Sequence, residues 1–220
     1  MSEALAQVFG WQLLQIGVWG DDDGLISEAR TQRTAVLARQ GEHKVSLYTR
    51  PESLAIASDS VDAVLLPHTL EYESDPHEIL REVARILPGE GQLVILGFRP
   101  FSGWGVRHSF AGKGFPPGTE RLIGEWRLRD WLKLLGFEVI DARRYLFTPP
   151  WGAAAPRSQR LLEGAGERLW PLLAGAYMLK ARKRVYCLTP IRPRWRSAKP
   201  VVGGLVEPTT RSTAHSPRLP

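Results

Sequence analysis

The stretch that most constrains the fold of this 220-residue chain is Ser60 to Phe98, SVDAVLLPHTLEYESDPHEILREVARILPGEGQLVILGF. Val61 to Leu66 is an apolar run interrupted only by Asp62, as a strand covered on both faces requires. Pro67 and His68 end it. Asp75 then stands as an N-cap, Pro76 as a first helical residue with no amide to leave unpaired, and Glu78 as a reciprocal acid. Ile79, Leu80, Val83 and Leu87 follow at helical spacing, Pro88-Gly89 stops the helix, and Gln92 to Phe98 forms the next buried strand. Strand, helix and strand in this order make a βαβ unit whose strands run parallel through a right-handed crossover. In open parallel sheets ligands sit outside the carboxyl ends of the strands, so the loop Pro67 to Ser74 and the segment after Phe98 are where a site is expected.

The other elements follow from the same signals. One or two helical turns are expected over Glu3 to Phe9, a first strand over Trp11 to Ile16 closed by Gly17, a short helix over Leu25 to Arg30, and a second strand over Thr34 to Ala38. Lys44 to Tyr48 reads as a third strand. Only five residues separate it from the second, too few for the dozen or so of a helical crossover, so this sheet edge is abbreviated. Leu128, Trp131, Leu132 and Leu135 give an amphipathic helix ended by Gly136; Phe137 to Ala142 gives a strand, and Ala176 to Arg182 the last strand, antiparallel to it. Trp151 to Leu173 is an insertion between these two. Arg99 to Trp126 interleaves Phe101, Trp104, Phe110 and Phe115 with glycines, Arg99, Arg107 and Lys113, and is expected to act as a lid. Lys180, Arg182, Lys183 and Arg184 are expected to form a charged sheet edge that blocks aggregation.

The wording SDSVDAVLLPHTLEY, then DPHEILREVARILPGEGQLVILGF, resembles the second half of class I S-adenosylmethionine-dependent methyltransferases of the type 11 kind. Those proteins share a Ser-Phe/Val-Asp strand start, a histidine after that strand and an Asp-Pro at the head of the helix. The resemblance runs from about Leu13 to about Lys183. It implies a three-layer α/β, Rossmann-like fold with a mostly parallel sheet and an antiparallel last strand, S-adenosylmethionine as cofactor, and methyl transfer as activity.

Carried over residue by residue, the resemblance puts Leu13 to Gly20, LLQIGVWG, at the family's glycine-rich cofactor loop. Gln15 replaces the family's acid and Trp19 stands where a glycine is usual, leaving Gly17 and Gly20 for close approach of the backbone. Without the resemblance, the string equally describes an ordinary strand-to-helix turn. An aromatic face such as Trp19 attracts a sulfonium cation, or simply packs. Where the family holds ribose hydroxyls with an acid, this chain has Ala38 and Arg39. Arg50 to Ile56, RPESLAI, corresponds to the segment beside the adenine, with Arg50 in the place of an acid; Glu52, Leu54 and Pro67 complete the expected cofactor contacts. Acceptor contacts are expected from Thr69, Glu71, Tyr72, Arg99 and Trp104. Methyl transfer requires alignment above all, with a general base only where the acceptor carries a proton. His68 is the expected base; its other reading is a loop-anchoring histidine.

Two functions fit these residues. One is a methyltransferase acting on an unidentified acceptor, a small molecule before a nucleic acid. The other is a catalytically inactive methyltransferase-fold module that binds an anionic ligand or nucleic acid, which Arg39 and Arg50 suit. No metal is expected, because Asp21, Asp22 and Asp23 have no histidine or cysteine nearby at ligand spacing.

Charge and cysteine usage bound the setting. Of the net +6, an excess of five lies from Arg192 onward, where six basic residues face Glu207 alone. That stretch is rich in Pro, Ser, Thr and Gly without periodicity, so one domain over residues 1–191 is expected to carry a disordered basic tail, Arg192 to Pro220; its charge suits weak contact with nucleic acid or anionic lipid, and a solvated tail with no partner is the preferred reading. The single Cys187 excludes an internal disulfide, and no apolar run reaches the ~18 residues of a membrane span. MSEALAQVFGWQLLQIG is no secretory signal, and a cytoplasmic protein without a membrane span is expected. Deleting Arg192 to Pro220 should change Tm by less than about 2 °C, because such a segment buries little. A scanning-calorimetry loss of several degrees would overturn the assignment of that tail.

Overall fold

Residues 60–98 fold as their local signals dictate. In the computed structural model, which describes residues 9–19, 25–26, 30–39, 45–111, 115–147 and 174–185, strand β4 (Ala63–Pro67) leads through two helices, α1 (Thr69–Tyr72) and α2 (Pro76–Ile86), into strand β5 (Gln92–Phe98). The Asp75 carboxylate accepts the Glu78 amide at 3.2 Å, while the Glu78 carboxylate pairs with Arg81 instead of reaching back to the cap. At the other end of α2 the Lys183 ammonium donates to the carbonyls of Ala84 (2.8 Å) and Leu87 (2.6 Å), groups that no helical amide can serve.

The remaining elements are β1 (Phe9–Ile16), β2 (Arg30–Ala38), β3 (Leu47–Tyr48), α3 (Gly103–Phe110), α4 (Glu125–Leu134), β6 (Phe137–Tyr145) and β7 (Ala176–Lys183). They build one seven-stranded sheet in the order β3-β2-β1-β4-β5-β7-β6. The pairs from β3 to β5 are parallel, and β7 is antiparallel to both β5 and β6. This is the α/β, Rossmann-like arrangement that the sequence leads one to expect.

Alternation along the strands divides the core between the two faces. Leu14, Ile16, Val64, Leu66, Leu93, Ile95 and Leu179 pack against Ile79, Leu80, Val83 and Ile86 of α2 and Leu128 and Leu132 of α4. Leu13, Val36, Ala63, Leu65, Val94, Leu96 and Met178 form the cluster on the other face, joined by Leu25 and Ile26. Burial on both faces is why these strands read as unbroken apolar runs. Asp62, the one acid in its run, ties strand to strand: its carboxylate accepts the amides of Trp11 (2.6 Å) and Gln12 (2.9 Å) and fixes β1 beside β4.

Several expectations are corrected. Phe9 opens β1 instead of ending a helical turn, and Arg30 opens β2 instead of closing a helix. The third strand shrinks to two residues, and it pairs parallel to β2. Arg99 to Trp126, read from the sequence as a long loop forming a lid, has secondary structure of its own. It contains α3, capped by Ser102, whose Oγ accepts the Gly105 amide at 3.2 Å, and it is pinned to the β4 end through the Glu71 carbonyl, which accepts the Glu120 amide at 2.8 Å. The basic cluster on β7 is not a sheet edge, because β7 lies between β5 and β6. Arg182 pairs with Glu90 and Arg184 with Glu90 and Glu138, whereas Lys180 is buried. Residues 3–8, Gly20, Asp21 to Asp23, Lys44, Lys113, Trp151 to Leu173, Cys187 and the basic tail lie outside the described residues. No described helix is long and apolar enough to cross a membrane.

Val64 and Ile95 sit at the centre of the larger cluster with 0 % and 1 % exposure. Val64→Asp or Ile95→Asp should abolish cooperative folding, since an unpaired buried charge costs several kcal/mol against a total stability of ~5 to 15 kcal/mol. A soluble variant with a cooperative urea transition would contradict the core assignment.

Candidate functional site

The carboxyl ends of β1, β2 and β4 open on a cavity of about 280 Å³. Gly17 and Trp19 line it after β1, Arg39 after β2, Pro67 and Thr69 after β4, and Tyr72 and Glu73 at the end of α1. Gly17 has φ +89°, and its amide donates to the Leu37 carbonyl at 2.7 Å, locking the turn to β2. A Cβ at Gly17 would fall 2.5 Å from Thr69 Oγ1, whose hydroxyl donates to the Ile16 carbonyl at 2.5 Å. The glycine is thus required by Thr69, and a side chain there would displace α1 before it met a ligand. Gln15 is buried behind the turn, with its Nε2 donating to the Gly17 carbonyl at 3.0 Å and its Oε1 unpartnered among the described residues.

Two acids from other segments converge on Arg39 at the end of β2. Arg39 donates to both oxygens of Glu73, at 2.9 and 2.6 Å, and also pairs with Glu52. Burial pushes the Glu73 carboxyl up while Arg39 pulls it down. Glu52 Oε2 is buried with no hydrogen-bond partner among the described residues. Two carboxylates therefore face one guanidinium at the cavity rim. Glu73 escaped the sequence analysis because it stands beyond the post-strand histidine rather than at the end of the second strand.

His68 is placed differently from a general base. It holds a left-handed conformation, φ 59°, and is 3 % exposed. Its ring lies between Trp19 and Phe98, with centroids at 4.3 and 4.1 Å. Nδ1 is 3.0 Å from Glu71 Oε2, and Nε2 is 3.2 Å from the Tyr145 hydroxyl. Burial pushes the imidazole down to about 3 and the Glu71 carboxyl up, disfavouring the charged form of each. With both nitrogens engaged and the ring enclosed, His68 anchors the loop, and the expectation of an accessible base is corrected.

Other expected contacts are redistributed as well. Glu71, buried, accepts the Phe98 amide at 2.5 Å on Oε1, so it joins β5 to the loop instead of meeting an acceptor. The Thr69 hydroxyl is likewise committed to Ile16. Tyr72 is half-buried against Trp19, with ring centroids 5.9 Å apart, and it lines the cavity. Leu54 turns into the core, its amide donating to Glu82 at 3.0 Å, and Arg50 is exposed outside the cavity lining. Trp104 packs between Phe98 and Phe115, with centroids at 5.8 and 5.2 Å. Arg99 lines a second cavity with Arg129 and Arg144, residues the sequence analysis did not single out. Gly20 lies outside the described residues. Among the described residues no three His, Cys, Asp or Glu side chains stand together in a way that would hold a metal ion.

The buried pair leaves a signature in pH. Below about 4.5 the Glu71 carboxyl, held up by burial, is protonated in the folded and the unfolded chain alike, and the unfolded imidazole carries its own proton as well. Below about 4.5 the unfolded chain takes up a second proton that folded His68 accepts only near 3, so stability falls by up to ~1.4 kcal/mol per pH unit. His68→Gln should remove this part of the acid limb in urea titrations. Equal acid slopes in the two proteins would mean that His68 is not held neutral.

Comparison with known proteins agrees with this geometry. The methyltransferase domain family matches residues 26–95. YafS of Escherichia coli (strain K12), described as uncharacterized, is 35 % identical over 189 residues, covering 83 % of this chain and 72 % of that protein. Among solved structures, an S-adenosylmethionine-dependent methyltransferase from Mesorhizobium loti superposes with a TM-score of 0.56 at 15 % identity, covering 83 % of this chain and 95 % of that one. One from Archaeoglobus fulgidus gives a TM-score of 0.55 at 18 % identity, with 79 % and 86 % covered. The [4+2]-cyclase SpnF gives 0.55 at 20 % identity, with 84 % and 80 % covered. The order of the sheet, the cavity at its carboxyl edge and these likenesses together show that the chain belongs to the class I S-adenosylmethionine-dependent methyltransferase family.

Proposed function

We propose that this protein transfers a methyl group from S-adenosylmethionine to a small-molecule acceptor, with the cofactor held in the cavity between Gly17, Arg39 and Tyr72. The observation that carries this reading is the pair of carboxylates, Glu52 and Glu73, gathered by Arg39 beside that cavity. They take the place of the acid that the family sets at the end of its second strand, and carboxylates accept the hydrogen bonds of ribose hydroxyls. Trp19 and Tyr72 offer aromatic faces to a sulfonium cation. The cofactor supplies a methyl group already activated on sulfur. The chain's part is to bind, to orient and to exclude water. Because His68 is neutral and enclosed, the site favours acceptors whose nucleophile needs alignment more than a strong base.

The rival module for anions loses support at the same place, since Arg39 already faces two carboxylates and Arg50 lies off the cavity. The fold alone does not choose between the two, as a cyclase on the same scaffold illustrates. The same reading keeps one methyltransferase domain over residues 1–191 with a basic tail beyond it, in the cytoplasm.

Isothermal titration with S-adenosylmethionine and S-adenosylhomocysteine tests the proposal. Micromolar binding is expected for the wild type. Glu73→Gln should weaken it about tenfold, the worth of a charge-assisted hydrogen bond, while Arg50→Asp leaves it unchanged or tighter. Wild-type affinity weaker than millimolar would exclude a working methyltransferase.

A further inference from the structure

We infer that the rim at the carboxyl edge of the sheet, from Phe101 through α3 to the start of α4, is a docking surface for an anionic lipid bilayer. This docking does not rest on the methyltransferase reading, since its side chains line no part of the cofactor cavity.

Topology gathers the rim from one stretch of chain. Because β4 and β5 are parallel, the segment after Phe98 leaves the sheet at the edge where Pro67 and Thr69 line the cofactor cavity. It is tied there: the Arg99 amide donates to the Gly175 carbonyl at 2.8 Å, and the Glu120 and Arg121 amides donate to the Glu71 carbonyl at 2.8 and 3.3 Å. Both β5 and β6 run antiparallel to β7, so α4, which leads into β6, starts at this edge and descends to the other. On α3, Trp104 packs inward between Phe98 and Phe115, and Arg107 stands 3.9 Å from the centre of the Phe115 ring. Val106 and Phe110, one turn apart, share the side opposite Trp104.

That outer side is apolar and open. Among the described residues, three of the four most exposed large apolar side chains belong to this rim: Phe110 (87 %), Phe101 (82 %) and Trp126 (69 %). Val106 is 52 % exposed beside Phe110. Side chains this open project into solvent, and the boundary of headgroups and acyl chains closes round them without a matching pocket. Two exposed cations flank the rings. Arg121 donates to the Ser74 carbonyl at 2.9 Å, and Arg127, next to Trp126, stands 5.9 Å from the centre of the Trp131 ring; neither forms an ion pair among the described residues. Of the two acids between Arg99 and Arg127, Glu125 is held by Arg129 and Arg144, which leaves Glu120 alone against these two cations. Phenylalanine and tryptophan beside arginine suit a membrane interface, where the rings enter and the guanidiniums meet anionic headgroups. Val106 favours lipid over nucleic acid, because an aliphatic side chain offers no face for a base to stack on.

The test is co-sedimentation of the full-length protein with vesicles of phosphatidylcholine, alone or with about one-third phosphatidylglycerol. Binding to the anionic vesicles should be at least about tenfold stronger and should weaken as salt rises. Phe101→Ser combined with Phe110→Ser should lower it by at least about tenfold. Both side chains are open, so this change removes no buried contact, and it leaves every charge in place, those of Arg192 to Pro220 included. Arg121→Gln combined with Arg127→Gln should lower anionic binding several-fold and leave binding to phosphatidylcholine unchanged. Trp126→Phe should keep the sedimentation but lose most of the blue shift that vesicles impose on tryptophan fluorescence. No sedimentation of the wild type with anionic vesicles, unchanged anionic binding in the double serine or the double glutamine variant, or an undiminished blue shift in Trp126→Phe overturns the inference. Binding of a single-stranded RNA that the two serines weaken, without vesicle binding, overturns it as well and makes nucleic acid the partner.

Discussion

One buried carboxyl group, that of Glu71, joins the ends of three strands. Glu71 accepts the Phe98 amide at the end of β5 and lies against His68 after β4; His68 in turn reaches Tyr145 at the end of β6. Removing it would leave a buried amide and an imidazole nitrogen without partners, and orphaned buried groups cost more than the bonds themselves contribute. The site's surfaces depend on this junction. Trp19 rests on the His68 ring, Phe98 stacks on its other side, and Trp104 packs on Phe98, so the Trp19 wall of the first cavity is referred to a group that does not line it. The left-handed backbone at His68 is the local strain that the junction sustains.

Beside that junction, acids from two other segments gather at the end of β2. Arg39 occupies the end of β2, but Glu73 from the loop after β4 and Glu52 from the segment after β3 converge on it. The net result at the rim is an excess of negative charge, suited to hydroxyl donors. The second cavity is lined among the described residues by Arg99, Arg129, Arg144 and Glu125, with Phe101 and Trp126 open to solvent.

The segment after β3 shows how such placement is stabilised at a distance. Arg85 on α2 donates to the carbonyls of Leu54 (3.0 Å) and Ile56 (2.8 Å), and Glu82 accepts the Leu54 amide. The helix therefore holds the backbone of RPESLAI, leaving Glu52 to project toward Arg39 while Leu54 fills the core. Family resemblance assigned that segment to the cofactor as a whole. In the fold only some of its side chains face the cavity.

What the sequence by itself determined was local. The cap at Asp75, the proline at Pro76, the helical spacing from Ile79 and the stop at Pro88-Gly89 are signals within one element, and the apolar runs of β4 and β5 follow from burial on both faces. They set the βαβ unit, its handedness and the edge on which ligands bind. Which side chains meet at that edge was decided only by tertiary structure. Asp62 binding β1, Glu73 pairing with Arg39 at the end of another strand, Tyr145 bonding His68 across 77 residues, and β7 inserting between β5 and β6 are contacts between distant parts of the chain. The reason is physical: spacing along the chain records how a segment lies against the core, whereas the partner of a buried polar group is chosen by whichever strand end the fold brings within about 3 Å of it.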